Sequence, residues 1–157
     1  MTTRVISNRV DNYTLFFDGC SKSNPGPAGI GAVLYKNGQE IRTTSNFIGL
    51  QTNDVAEYMA FIKGLDIATK LKIKTLHVKG DSLLVINQMK GDWAVKHDNM
   101  IPLYEEAKHL VKAFESITYE HVKRNENSRA DKLANESIVK SWGSRLEDFQ
   151  EDFQVDL

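Results

Sequence analysis

Only one cysteine, Cys20, occurs in the 157 residues, so no internal disulfide can staple the fold, and a cytoplasmic, reducing setting is expected. Long apolar runs are missing too. Nothing approaches the roughly 18 consecutive apolar residues needed to cross a bilayer, and Met1 to Asn12 holds no apolar stretch of signal-peptide length, so no membrane contact is expected. The chain also lacks a basic excess: 20 Lys and Arg stand against 21 Asp and Glu, and any binding of a polyanion must come from local patches. No Gly-rich phosphate loop and no serine, histidine and acid arrangement stands out, and Cys20 has no evident activating partner, so no side-chain nucleophile suggests itself. There is no internal repeat or low-complexity tract.

The length and the 41% hydrophobic content suit one globular domain with one core. Tyr13 to Asp18 reads as a buried strand ending near Asp18, followed by the turn residues Asn24-Pro25-Gly26-Pro27. Ala28 to Lys36 and Gln39 to Phe47 are strands joined by Asn37-Gly38, the favoured pair for a two-residue hairpin. Thr52 and Asn53 can cap a helix whose apolar face carries Ala56, Met59, Ala60, Ile67 and Ala68, with Glu57 in its first turns. Thr75 to Gly80 is a short strand ending at Asp81, and Ser82 to Met89 a short helix closed by Gly91. Asn99 to Phe114 reads as a long amphipathic helix with Ile101, Leu103, Tyr104, Ala107, Leu110, Val111 and Phe114 available to the core. Ser116 to Val122 is a fifth strand, Lys123 to Asn127 a polar loop, and Ser128 to about Lys140 a last helix with Asp131 in its first turn. The order βββαβααβα predicts an α/β fold: a five-stranded mixed sheet, an antiparallel meander plus two parallel strands, with helices on both faces.

Four acids occupy places where acids seldom help folding: Asp18 at the end of an apolar strand, Glu57 on a mostly apolar helix, Asp81 at a strand end, and Asp131 beside Ala130 and Leu133. Singly, each has an ordinary explanation. Asp131 suits a helix dipole, Asp81 can cap the following helix, and Glu57 can face solvent. Together they point to a shared pocket, because sites in open α/β sheets lie at the carboxyl ends of strands. Crowded carboxylates repel one another unless hard divalent cations neutralise them, and oxygen-only ligands favour magnesium or manganese over zinc. Two such ions about 4 Å apart are an apparatus for phosphodiester hydrolysis that needs no side-chain nucleophile.

From Tyr13 to about Val139 the chain resembles the type I ribonuclease H family, on four blocks in order: Phe17-Asp18-Gly19-Cys20 through Asn24-Pro25-Gly26-Pro27-Ala28-Gly29; Thr52-Asn53-Asp54-Val55-Ala56-Glu57; Gly80-Asp81-Ser82; and Asn127-Ser128-Arg129-Ala130-Asp131-Lys132-Leu133-Ala134. The resemblance implies the ribonuclease H-like fold, two Mg2+ ions (Mn2+ as the other option) on Asp18, Glu57, Asp81 and Asp131, and hydrolysis of the RNA strand of an RNA/DNA hybrid to leave 5′ phosphate and 3′ hydroxyl ends. It further implies that Gly19, Cys20 and Asn53 read ribose 2′ hydroxyls, the group that separates RNA from DNA. Asn24 and Thr52 match positions that bind a DNA-strand phosphate, with turn formation and helix capping as the alternatives. Trp93, flanked by Lys90 and Lys96, lies where relatives contact the DNA strand, unless it anchors its loop in the core.

The chain departs from the family in two places. Its Trp93 loop is short, without the extended basic protrusion of some relatives. The loop before Asp131, Lys123-Arg124-Asn125-Glu126-Asn127, lacks the histidine many relatives carry, and Arg124 is the candidate for phosphate or product contact there. His121 reads as a partly buried strand residue, and His77, His97 and His109 have no spaced partner. The organisation expected is an N-terminal tail over 1–12, a ribonuclease H domain over 13–140 and an acidic tail over 141–157. The tail's ending, Gln154-Val155-Asp156-Leu157, faintly resembles sliding-clamp docking peptides, a weak replication-protein contact. A monomer is expected. The readings weighed against an active enzyme are a non-catalytic nucleic-acid binding module and another nuclease of the same superfamily.

Overall fold

The computed structural model of the chain describes residues 10–143. The clamp-like ending and the acidic tail from residue 144 onward lie outside the described residues. Five strands form one sheet, β1 (Tyr13–Ser21), β2 (Gly26–Lys36), β3 (Gln39–Gln51), β4 (Thr75–Gly80) and β5 (Ser116–His121), in the order β3-β2-β1-β4-β5. Four helices accompany them: α1 (Asn53–Lys70), α2 (Leu83–Lys90), α3 (Ile101–Val111) and α4 (Ser128–Trp142). The meander pairs antiparallel, and β4 and β5 join in parallel, as the sequence predicts. Asn37 and Gly38 both take positive φ, 51° and 82°, the backbone that a tight hairpin of this hand requires.

Alternation along β1 sends its side chains to two different cores. Leu15 and Phe17 join the large cluster with Tyr58, Phe61 and Leu65 of α1. Phe16 packs on the other face against Val33, Ala130 and Leu133 beneath α4. Helices therefore cover both faces, and the acid-bearing strand lies between them. The sheet allows α4 a close approach: a Cβ added to Gly31 would stand 2.3 Å from the Ala130 carbonyl oxygen and 2.7 Å from the Ala134 nitrogen.

Several boundaries differ from the sequence reading, for local reasons. β1 continues past Asp18 to Ser21 because Gly19, Cys20 and Ser21 keep their partners Ile30, Gly29 and Ala28 on β2. β3 runs on to Gln51, opposite Gly26. α3 is shorter than predicted, and Ile101 at its start is exposed; Ala107 is its buried residue, while Phe114 is buried beyond its end. The buried face of α1 is broader than the predicted stripe, taking in Tyr58, Phe61 and Leu65, because the helix is packed between the sheet and α3. α4 extends two residues beyond Lys140, where Trp142 meets Phe47 of β3 at 6.4 Å between ring centroids. His77 has partners after all: its ring nitrogens hydrogen-bond Thr118 and, at 2.8 Å, Glu120 on β5, and His121 is exposed rather than partly buried. Among the described residues, no helix is long and apolar enough to cross a membrane.

Because Gly31 has no room for a methyl group against the α4 backbone, Gly31→Ala should lower stability by about 2–3 kcal/mol. Urea denaturation should show an earlier midpoint with an unchanged slope.

Candidate active site

Parallel pairing of β1 with β4 places the first two acids. The ladder matches Thr14 with His77 through Phe17 with Gly80, so the next residues, Asp18 and Asp81, emerge side by side at the same end of the sheet. α1 supplies the third acid. Its start is fixed by Thr52, whose side chain accepts a hydrogen bond from the Val55 N–H, and by Asn24, whose Oδ1 accepts from the Asn53 N–H at 3.0 Å. One turn later Glu57 lies against β1 and accepts a hydrogen bond from the Gly19 N–H. Only glycine fits there, since a Cβ at position 19 would stand 2.1 Å from the Ala56 carbonyl. Asp18, Glu57 and Asp81 each offer a carboxylate oxygen within 4.8 Å of the others.

Asp131 reaches the same cleft from the first turn of α4, hydrogen-bonded to Asp18, though it lies outside that mutually close trio. The cleft holds about 540 Å³ and is lined by all four acids together with Gly19, Cys20, Lys22, Asn53, Ser82 and Arg124.

Burial makes these acids hard to ionise together. Asp18 is pushed far above the usual carboxylate range, first by burial, then by the charges of Glu57 and Asp81 and by carboxyl–carboxyl hydrogen bonds to Glu57 and Asp131. Glu57, 4% exposed, is pushed up to about 7 by burial, against the pull of hydrogen bonds from Asp18, Gly19 and Ser82. Without a cation, burial and mutual repulsion disfavour ionising Asp18 and Glu57 together. A divalent cation relieves both the desolvation and the repulsion, and a donor set made only of oxygens suits a hard ion. The residues present therefore fit the metal that the acid pattern implies.

The remaining sequence candidates fall around this centre. Gly19 and Cys20 form its floor, and burial pushes the Cys20 thiol up, away from the reactive thiolate. Asn53 Oδ1 accepts from the Ser21 N–H at 3.3 Å, fastening α1 to the end of β1. Asn24 and Thr52 make the contacts of turn and cap described above and do not line the cleft. Arg124 is exposed on the rim, with a guanidinium nitrogen 3.8 Å from Asp131 Oδ1. Trp93 is set apart from the acids, 48% exposed, beside a shallow pocket with Tyr104 and Ile101. It is not a core anchor.

Asn127 and Ser82 lie within the motif blocks, where the sequence marks no task for either. Asn127 is 2% exposed, and its amide donates at 2.9 Å both to the Phe17 carbonyl and to Asp81 Oδ1, joining β1, β4 and the start of α4. Ser82 caps α2, accepting from the Val85 N–H. Lys22 and Asn135 went unnoticed, and no local pattern marks them, since 113 positions separate the two partners.

Known proteins resemble this chain in sequence and in fold. A family model described as reverse transcriptase-like matches residues 16–137. A bifunctional protein of Mycobacterium tuberculosis is 45% identical over 123 residues, 77% of this chain but 34% of that protein, so the chain spans about a third of the length of such mycobacterial relatives. Ribonuclease HI of Halobacterium salinarum is 35% identical over 139 residues, 88% of this chain and 70% of the relative. LC11-RNase H1, solved in complex with an RNA/DNA hybrid, matches with a TM-score of 0.79 at 34% identity, covering 84% of this chain and all of that one. A fold, a carboxylate cleft and a length of matching sequence all agree, and the chain belongs to the type I ribonuclease H family.

Proposed function

We propose that this chain is a metal-dependent endonuclease that hydrolyses the RNA strand of RNA/DNA hybrids, leaving 5′ phosphate and 3′ hydroxyl ends. One observation carries the reading. Three carboxylates from three separate elements, two of them buried, converge within 4.8 Å with Asp131 beside them, an arrangement of no use to stability and well suited to hard cations. Asp18, Glu57, Asp81 and Asp131 would hold two divalent ions, Mg2+ or Mn2+. When bound, such ions supply an activated water and stabilise the leaving 3′ oxygen.

The chain's own residues orient the site and choose the substrate. The Gly19 N–H fixes Glu57, and Asn127 fixes Asp81, so two of the acids are held before substrate arrives. Gly19 and Cys20 line the cleft and Asn53 is tied to the Ser21 backbone, and these three would read a ribose 2′ hydroxyl. Asn24 and Thr52 would contact a phosphate of the DNA strand. Trp93, exposed between Lys90 and Lys96, offers its ring to the DNA strand, and Arg124 meets a phosphate or the product at the rim. The chain acts as a monomer in the cytoplasm in this reading, and the hybrid is its macromolecular partner.

Replacing Asp18 with Asn keeps the shape but removes a negative ligand. Cleavage of a labelled hybrid should fall by on the order of a thousandfold or more, with the fold intact by circular dichroism. Retained activity would overturn the reading, and wild-type cutting of plain duplex DNA would indicate another nuclease of this fold. Trp93→Ala should raise KM for the hybrid about tenfold with kcat nearly unchanged, as loss of one stacking platform requires; an unchanged KM would remove Trp93 from the substrate surface.

Stability carries the same signature without any substrate. Glu57 is raised from its ordinary 4.5 to about 7, and Asp18 is raised too, so the folded metal-free protein binds more protons than the unfolded chain between those values. Stability is then lost as pH rises through that window. With chelator present, the Tm should drop by several degrees from pH 5 to pH 8, Asp18→Asn should flatten that drop, and Mg2+ should add most at pH 8. A chelated protein whose pH profile is unaltered by Asp18→Asn would contradict the assigned electrostatics.

A further inference from the structure

One cation in the cleft has no carboxylate partner among the described ion pairs. Lys22, in the turn between β1 and β2, instead donates its ammonium hydrogen to Oδ1 of Asn135, one turn along α4 from Asp131. Its backbone is fixed, since the Lys22 N–H donates to the Pro27 carbonyl at 2.9 Å. The other end of the Asn135 amide faces Asp131, donating to its backbone carbonyl at 2.9 Å and to its Oδ1 at 3.2 Å. An amide carries donors on one side and an acceptor on the other, so a cation that takes the oxygen decides which way the group faces. Turned the other way, Asn135 would set its oxygen against a carboxylate.

Asp131 needs such a support. It is more exposed than Asp18 or Glu57, and among the described residues its carboxylate has, apart from Asn135, the distant rim contact to Arg124 at 3.8 Å and its tie to Asp18. We propose that Lys22 and Asn135 form a positioning pair: Lys22 orients the Asn135 amide, and Asn135 holds the Asp131 carboxylate toward the cation site. The pair rests on the reading of the four acids as metal ligands. It gives the β1–β2 turn a direct part in setting the geometry of an acid on α4. Neither residue touches the reacting atoms in this role.

The test uses the full chain and Mn2+ alone, titrated by calorimetry with no nucleic acid present. Asn135→Ala should weaken Mn2+ binding about tenfold, the usual scale for removing a group that orients a ligand. Removing the Lys22 charge by itself would tighten cation binding, so the informative quantity is the difference between backgrounds. Lys22→Met should weaken Mn2+ binding in the otherwise native chain and fail to weaken it in the Asn135→Ala chain, while Lys22→Arg, which keeps the charge and the donor, should bind nearly as the native chain does. The same factor for Lys22→Met in both backgrounds would overturn the pair, as would unchanged affinity in Asn135→Ala. A Lys22→Met chain with native Mn2+ affinity but a raised KM for the hybrid would make Lys22 a phosphate contact instead. Should Asn135→Ala not fold, Lys22→Met binding Mn2+ as tightly as Lys22→Arg, or more tightly, still overturns the proposal. A native chain that takes up no Mn2+ would overturn the reading of the acids and the pair with it.

Discussion

Negative charge crowded into a poorly hydrated corner is the constraint around which this protein is organised. Asp18, Glu57 and Asp81 would relax apart if their elements allowed it. Glu57 and Asp81 are each held by a donor from a different part of the fold, and Asp131 by one a turn along its own helix. Glu57 takes the Gly19 N–H, Asp81 takes the Asn127 amide, and Asp131 takes the Asn135 amide. The Gly19 contact demands a position without a side chain, and the Asn127 contact demands that the start of α4 sit above the ends of β1 and β4. Much of the local architecture follows from keeping like charges together.

The main sheet supports this by separating two tasks. One face of β1 builds the large core with α1, and the other builds a smaller one under α4. The acids thus come from strands and helices whose positions are fixed by apolar packing on both sides. A second set of polar contacts extends the framework to the Trp93 loop. Tyr58, next to Glu57, hydrogen-bonds Gln88 of α2, and the Gln88 amide donates to the Ala94 carbonyl at 3.3 Å beside Trp93. The loop bearing the exposed tryptophan is in this way tied to the helix bearing the glutamate.

What was legible in the sequence is what repeats locally. The Asn37-Gly38 hairpin, the Thr52 cap and the element order all depend on neighbours a few residues away, and all four acids do line one cleft, although Asp18 lies within β1 rather than at its end. Features set by distant partners were not legible. The extension of β1 to Ser21 depends on pairing with β2, the broad buried face of α1 on α3 closing over it, and the His77 contacts on β5 lying alongside β4. Trp93 could not be assigned to core or surface from its own segment, because the flanking residues are compatible with either. Lys22 and Asn135 show the same limit, since each is unremarkable until the fold brings its partner near.

The parallel pairing of β1 with β4 has a kinetic side as well. Asp18 and Asp81 become neighbours only after a connection through β2, β3 and α1 has closed, and Asp131 arrives later still, from the last described helix. Contacts of such sequence separation are slow to form, because loop-closure entropy precedes any gain from pairing. No short fragment contains all four acids, which span positions 18 to 131, and Asp131 joins the other three only when α4 is in place. The full set of four acids in the carboxylate cleft is therefore a property of the fold from β1 to α4 taken together.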